Sequence, residues 1–220
     1  MIPALTEHEL RVLGSLMEKS VVTPEQYPLT LNALMLACNQ KSSRDPVLNL
    51  QPVETQRAAR DLEAKLLLKR EENFRSGIEK YQQRFCNTPF SSIQLSEQQF
   101  AALCLLLLRG AQTPGEIRSR AGRLCSFETN EEAAAVLQSL IDRDGGPLVA
   151  RLPRRAGRQD HEYMHLLAGE LESAPPDASP RAGAALFDRG DRSDRIAQLE
   201  ARVEALEAAL QALRADLGGS

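Results

Sequence analysis

Two stretches of this chain repeat one pattern of apolar and polar positions. Leu5-Thr6-Glu7 matches Leu95-Ser96-Glu97 at an offset of 90, and at that offset Leu10 meets Phe100, Leu13 meets Leu103 and Thr23-Pro24 meets Thr113-Pro114. In each copy a Thr or Ser stands where a helix N-cap belongs, acidic residues follow in the first turn, and apolar residues recur at helical spacing. Each Thr-Pro pair suits the start of a second helix or the turn before it. Further along the offset becomes 74: Thr55 meets Thr129, Ala59 meets Ala133 and Leu66 meets Leu140. This block predicts a third helix, with Val53, Ala59, Leu62 and Leu66 on the inner face of the first copy. The change of offset puts 16 extra residues in the first copy around 27–52. It predicts a longer second helix there and a larger loop.

A candidate hairpin follows each third helix. Residues 67–71 and 81–85 flank a polar loop in the first copy; 148–152 and 162–166 do so in the second, and Tyr81 corresponds to Tyr163. Three helices and then a two-stranded hairpin is the winged-helix order. The predicted fold is mostly α with small β-hairpins (α+β). It comprises two tandem winged-helix domains, 1–90 and 91–170, and a C-terminal coiled-coil helix.

The pattern changes again after Gly169. Residues 171–194 are rich in Pro, Ser, Gly and Asp and read as a flexible linker. Over 195–217, Ile196, Leu199, Val203, Leu206, Leu210, Leu213 and Leu217 alternate steps of three and four. That is a coiled-coil seam, with Ile and Val at the first two a positions and Leu at every d position. It predicts a homodimer. Arg195 with Glu200 and Arg202 with Glu207 suit a parallel pair; an antiparallel pair, with Arg195 facing Asp216, stays open, as does packing of this helix on its own chain.

Composition narrows the function classes. Hydrophobic residues make up 42% of the chain, enough for real cores, but aromatics are 4% and Trp is absent, so those cores must be mostly Leu, Ala and Val. A net charge of −3 gives no global nucleic-acid signature, so any such contact needs a local patch. Cys38, Cys86, Cys104 and Cys125 form no CxxC pair, which argues against a zinc ribbon. The apolar run 100–108 is far short of the ~20 residues that span a bilayer, and the first residues lack a secretory pattern. The expected location is the cytoplasm, without a membrane.

Thr23-Pro24-Glu25-Gln26-Tyr27-Pro28-Leu29-Thr30-Leu31-Asn32-Ala33-Leu34, continued by Ala37-Cys38-Asn39-Gln40-Lys41-Ser42-Ser43-Arg44-Asp45-Pro46-Val47, closely resembles the signature stretch of the bacterial YceH family. The likeness extends over 5–168. It implies tandem winged-helix domains, in agreement with the repeat, and carries over no catalytic residues.

His161-Glu162-Tyr163-Met164-His165 matches the H-E-x-x-H pattern of zinc proteases. That chemistry needs a helix, which puts both imidazoles on one face. Here the segment falls where the second wing strand belongs, and on a strand residues four apart are ~13 Å from each other. No Walker loop, GxGxxG or nucleophile elbow occurs. The expectation is no enzyme, no metal and no cofactor.

The third helix of the first copy is the best candidate for contact with double-stranded DNA. Gln56, Arg57 and Arg60 would project near its start, where recognition helices meet base edges. Lys41 and Arg44 in the preceding loop, and Arg75 and Lys80 on the wing, would meet phosphates. In the second copy Glu128, Glu131 and Glu132 crowd the corresponding helix and would repel phosphate; only its wing, with Arg154, Arg155 and Arg158, is basic. Two readings stand: a dimeric DNA-binding or regulatory protein, and a scaffold whose winged helices bind a protein partner instead of DNA.

Overall fold

The computed structural model describes residues 3–73, 77–89, 91–154 and 160–169. It begins with α1 (Glu7–Val22), followed by β1 (Leu29–Thr30), α2 (Leu31–Cys38), α3 (Pro52–Ala64), β2 (Leu68–Asn73) and β3 (Ile78–Gln83). The second half runs α4 (Glu97–Arg109), α5 (Pro114–Ala121), α6 (Asn130–Ile141), β4 (Val149–Arg151) and β5 (Tyr163–His165). The first sheet is antiparallel in the order β1-β3-β2, and β4 pairs with β5. The fold is mixed α+β, with six α-helices among the described residues and small antiparallel sheets, consistent with a winged-helix-like arrangement. No helix among the described residues is long and apolar enough to cross a membrane.

The predicted caps are present. Thr6 and Glu9 form a reciprocal capping box on α1, and Ser96 and Gln99 do the same on α4. The order of elements recurs along the chain, at spacings that differ from those of the sequence matches. Leu29 pairs with Tyr81 in the first sheet, and Gln112 bridges Tyr163 in the second half. The next residues, Thr30 and Thr113, cap α2 and α5. Helix two is therefore displaced by 83 residues between the halves. Thr23-Pro24, the sequence match of Thr113-Pro114, instead opens a short 3-10 turn, Pro24–Gln26. Both second helices have eight residues, so the longer helix expected in the first copy is a correction. Taken to the third helix, where the displacement is 78, the first half has 12 extra residues and not 16: three lengthen α1 and nine lie in the connections on either side of α2.

The third helices need a second correction. Gln51 and Thr129 are their N-cap residues, and Leu62 and Leu140 are fully buried in equivalent places. Each of those leucines accepts a backbone hydrogen bond from the chain that leads into the hairpin. The true displacement is 78, about one helical turn from the 74 of the sequence match. A one-turn slip keeps apolar residues on nearly the same face, which is why the pattern tolerates it. The inner face of α3 is Thr55, Ala58, Ala59 and Leu62; Val53 is 75% exposed and Leu66 is 70% exposed.

The core sits where α1 and α4 pack. Residues 9–18 and 100–108 are buried on every side of these helices, as expected for helices covered all round. Gly14 permits the close approach: a Cβ there would stand 2.9 Å from Leu108 Cδ2 and 3.1 Å from Leu107 Cβ. Buried charges on α1 have partners. Glu9 meets Lys65 Nζ at 2.5 Å, and Arg11 donates to the carbonyls of Cys38 (3.1 Å) and Pro46 (2.6 Å). The two halves are also tied by backbone hydrogen bonds: Leu5 N–H donates to Leu167 O at 2.8 Å, and Asp45 N–H to Leu108 O at 2.9 Å. All four cysteines are free and buried.

Candidate nucleic-acid interface

Helix α3 starts with Pro52 at its first position, which needs no amide donor there. The Glu54 carboxylate turns back to accept from Gln51 N–H at 2.7 Å, which fixes the first turn. Arg57 and Arg60 are exposed, Gln56 is half-buried, and Val53, Glu54 and Asp61 are exposed beside them. Neither Arg57 nor Arg60 makes an ion pair among the described residues.

The adjoining hairpin is less basic than its composition implies. Arg70 binds Glu63 of α3 at 3.2 Å and also Glu79 across the hairpin, while Lys69 binds Glu71 at 2.5 Å. Glu79 is held below the usual carboxylate range by hydrogen bonds from Tyr81 and Arg70. Lys80 is exposed, opposite Glu71 in the ladder. Arg75 lies outside the described residues.

In the loop before α3, Lys41 is exposed and Arg44 is not. Arg44 is 4% exposed and grips Glu18 with two bonds, Nη1 to Oε1 at 3.0 Å and Nη2 to Oε2 at 2.6 Å. Its Nε donates to Ala37 O at 3.0 Å and its Nη1 to Ser43 O at 2.9 Å. The expectation that Arg44 meets phosphate is therefore corrected: its donors are spent inside the protein, where an unpaired Glu18 would be costly. Burial pushes the Glu18 carboxyl up, but the hydrogen bonds and charge of Arg44 outweigh it and hold it below the ordinary range. The same loop is closed by Asn39, whose amide donates to Leu50 O and whose Oδ1 accepts from Leu50 N–H, both at 2.8 Å. Tyr27 hydroxyl accepts from Gln83 N–H at 2.6 Å. Tyr27, Asn39 and Arg44 of the signature stretch thus hold the α2–α3 region in shape.

In the second half Arg154 is exposed and its Nε donates to His161 Nε2 at 3.2 Å. His161 Nδ1 stands 3.1 Å from Leu152 O, so one tautomer, Nδ1-protonated, serves both contacts. Arg155 and Arg158 lie outside the described residues, as do Ile196, Leu199, Val203, Leu206, Leu210, Leu213 and Leu217. The H-E-x-x-H segment runs into strand β5, with Tyr163 and His165 turned into the core. Burial pushes the His165 imidazole down to about 4.

The sequence reading passed over a second basic group. Arg118, Arg120 and Arg123 are exposed on α5 and just beyond it. Arg118 donates to Asn130 Oδ1 at the start of α6 (3.3 Å), and Arg120 binds Glu116 (3.3 Å) and Gln112 Oε1 (2.9 Å). Three arginines within 118–123 are the signal in the sequence. The exposed start of α6 keeps Glu128 and Glu131, and Glu132 accepts from Glu128 N–H at 2.6 Å.

The fold is α+β, consistent with a winged-helix-like arrangement, and its third helix presents two exposed arginines that make no ion pair among the described residues. A family model described as a protein of unknown function, DUF480, matches residues 5–158. A UPF0502 protein of Vibrio cholerae (strain ATCC 39315) is 51% identical over 170 residues, covering 77% of this chain and 79% of that protein. One from Klebsiella pneumoniae is 45% identical over 214 residues, covering 97% and 98%, and one from Shewanella sp. (strain MR-4) is 47% identical over 220 residues, covering 97% and 99%. The chain belongs to this DUF480/UPF0502 family.

Proposed function

We propose that this chain is a tandem winged-helix protein that binds double-stranded DNA through α3 of its first domain. The carrying observation is the exposed α3 face, on which Arg57 and Arg60 stand free of ion pairs among the described residues. Lys41 and Lys80 are exposed as well and supply the phosphate contacts. In this reading domain one is 1–90, domain two is 91–170, the linker is 171–194, and the segment 195–217 joins two chains as a coiled coil. The protein acts in the cytoplasm by binding and not as an enzyme, and it needs no metal or cofactor.

The test is binding of the full chain to a labelled random-sequence duplex at low salt. Saturable binding that weakens when Arg57 and Arg60 are both changed to Ala supports the proposal; no binding at low salt contradicts it.

A second reading, a protein-interaction scaffold, is favoured by a specific observation. Leu66 exposes an apolar side chain at the junction of α3 and the hairpin, where Lys69 and Arg70 are already paired with carboxylates, and Ile78 exposes another at the far end of the hairpin, opposite Asn73. A chain that ignores DNA but retains a protein through Leu66 would decide for that reading.

A further inference from the structure

Val53 stands on the outer face of α3, one turn before Arg57. Positions 53, 57 and 60 are separated by four and three residues, so they share one face of the helix. All three side chains are exposed, and Val53, at 75%, is the most exposed large apolar residue among the described residues. Its turn is rigid, because Pro52 occupies the first helical position and Glu54 is bound back to Gln51. That bond also directs the carboxylate of this turn toward the cap. A rigid apolar group at the start of the helix is therefore presented beside a free guanidinium.

This inference rests on the DNA reading and deepens it. The major groove offers hydrogen-bonding edges and one apolar feature, the C5-methyl of thymine; the guanidinium of Arg is matched by O6 and N7 of guanine. We infer that Val53 is a specificity residue that reads a thymine methyl, next to a guanine read by Arg57. Residues four apart are ~6 Å apart along a helix, and successive bases on one strand are ~3.4 Å apart. The thymine and the guanine must then lie within about two base pairs of each other.

The experiment starts with selection of duplexes from a random pool by the full chain at low salt. The thymine nearest the enriched guanine is then replaced by deoxyuridine, which removes only the methyl group. The wild-type chain should bind the uracil duplex about fourfold more weakly, the factor expected for one buried methyl. Val53→Ser should bind both duplexes equally while keeping the guanine preference and an unchanged far-UV spectrum. An enriched site without a thymine beside the guanine, or equal wild-type binding to the two duplexes, overturns the inference and leaves the DNA reading standing. Failure to enrich any duplex overturns both, and leaves Val53 to a protein partner.

Discussion

The thiol of Cys104 donates to the carbonyl of Gly14 at 3.5 Å. These are equivalent positions of the two halves, one on α1 and one on α4, at the offset of 90 that relates their caps. The helices thus meet at corresponding points, and Gly14 is the side of the contact that lacks a side chain. In an exposed helix Gly→Ala gains up to about 1 kcal/mol. Here the added Cβ would stand 2.9 Å from Leu108 Cδ2, so Gly14→Ala should instead lose about 1–2 kcal/mol by overpacking. Denaturant unfolding of the two proteins checks the sign; a stabilised variant would show that the helices separate easily.

The Arg44–Glu18 pair should matter more than any surface ion pair. Both side chains are shielded, so Arg44→Met leaves a buried carboxylate without its partner and should cost about 3 kcal/mol or more. The double variant Arg44→Met/Glu18→Met should lose less, because no charge is stranded. A thermal melt of the single and double variants measures this, and equal losses would show the pair to be uncoupled.

Among the groups that respond to acid, His165 acts at higher pH than the buried Glu18. His165 is 2% exposed and its imidazole is held at about 4, while in the unfolded chain it titrates near 6.5. The unfolded state therefore takes up the proton first as pH falls. Stability from neutral His165 is complete above 6.5 and declines toward 4, by roughly 1.4 kcal/mol per pH unit. Glu18, with a lowered pKa, stabilises the fold above the ordinary carboxylate range and loses that contribution as pH falls through its folded value. His165→Gln should flatten the upper window and leave the lower one. Gln is a suitable replacement because Gln83 fills the corresponding place, opposite Leu68 as His165 is opposite Val149. Urea unfolding at a series of pH values gives both windows; an unchanged slope between 6.5 and 4 in the variant would exclude His165 as the cause.

The tail prediction concerns residues outside those described. Light scattering should give the full chain twice the mass of one chain, and a version ending near Ala174 the mass of one. Equal association states would remove the coiled coil from the account.

Much of the fold was legible because caps and apolar spacing are local signals. Thr6 and Ser96 cap helices where the sequence pattern puts them, and the strands around Tyr81 and Tyr163 fall within three residues of their expected ends. The errors came where periodicity is degenerate or where distant residues decide. A slip of one turn in α3 buried Val53 and Leu66 on paper, although both face solvent. Arg44 looked like a loop cation because its partner, Glu18, is 26 residues away on a helix surrounded by other elements. Arg118, Arg120 and Arg123 are a local cluster, legible in the sequence without the fold.

The most direct test of the DNA reading is the salt dependence of duplex affinity for the full chain and for Arg57→Ala/Arg60→Ala. Log affinity falls with log salt with a slope of about −0.9 for each phosphate neutralised. The account predicts a slope of about −3 or steeper for the wild-type chain, at least tenfold weaker binding for the double variant, and a shallower slope by about one. Absence of binding at low salt, or a double variant that matches the wild-type chain in both affinity and slope, would contradict it.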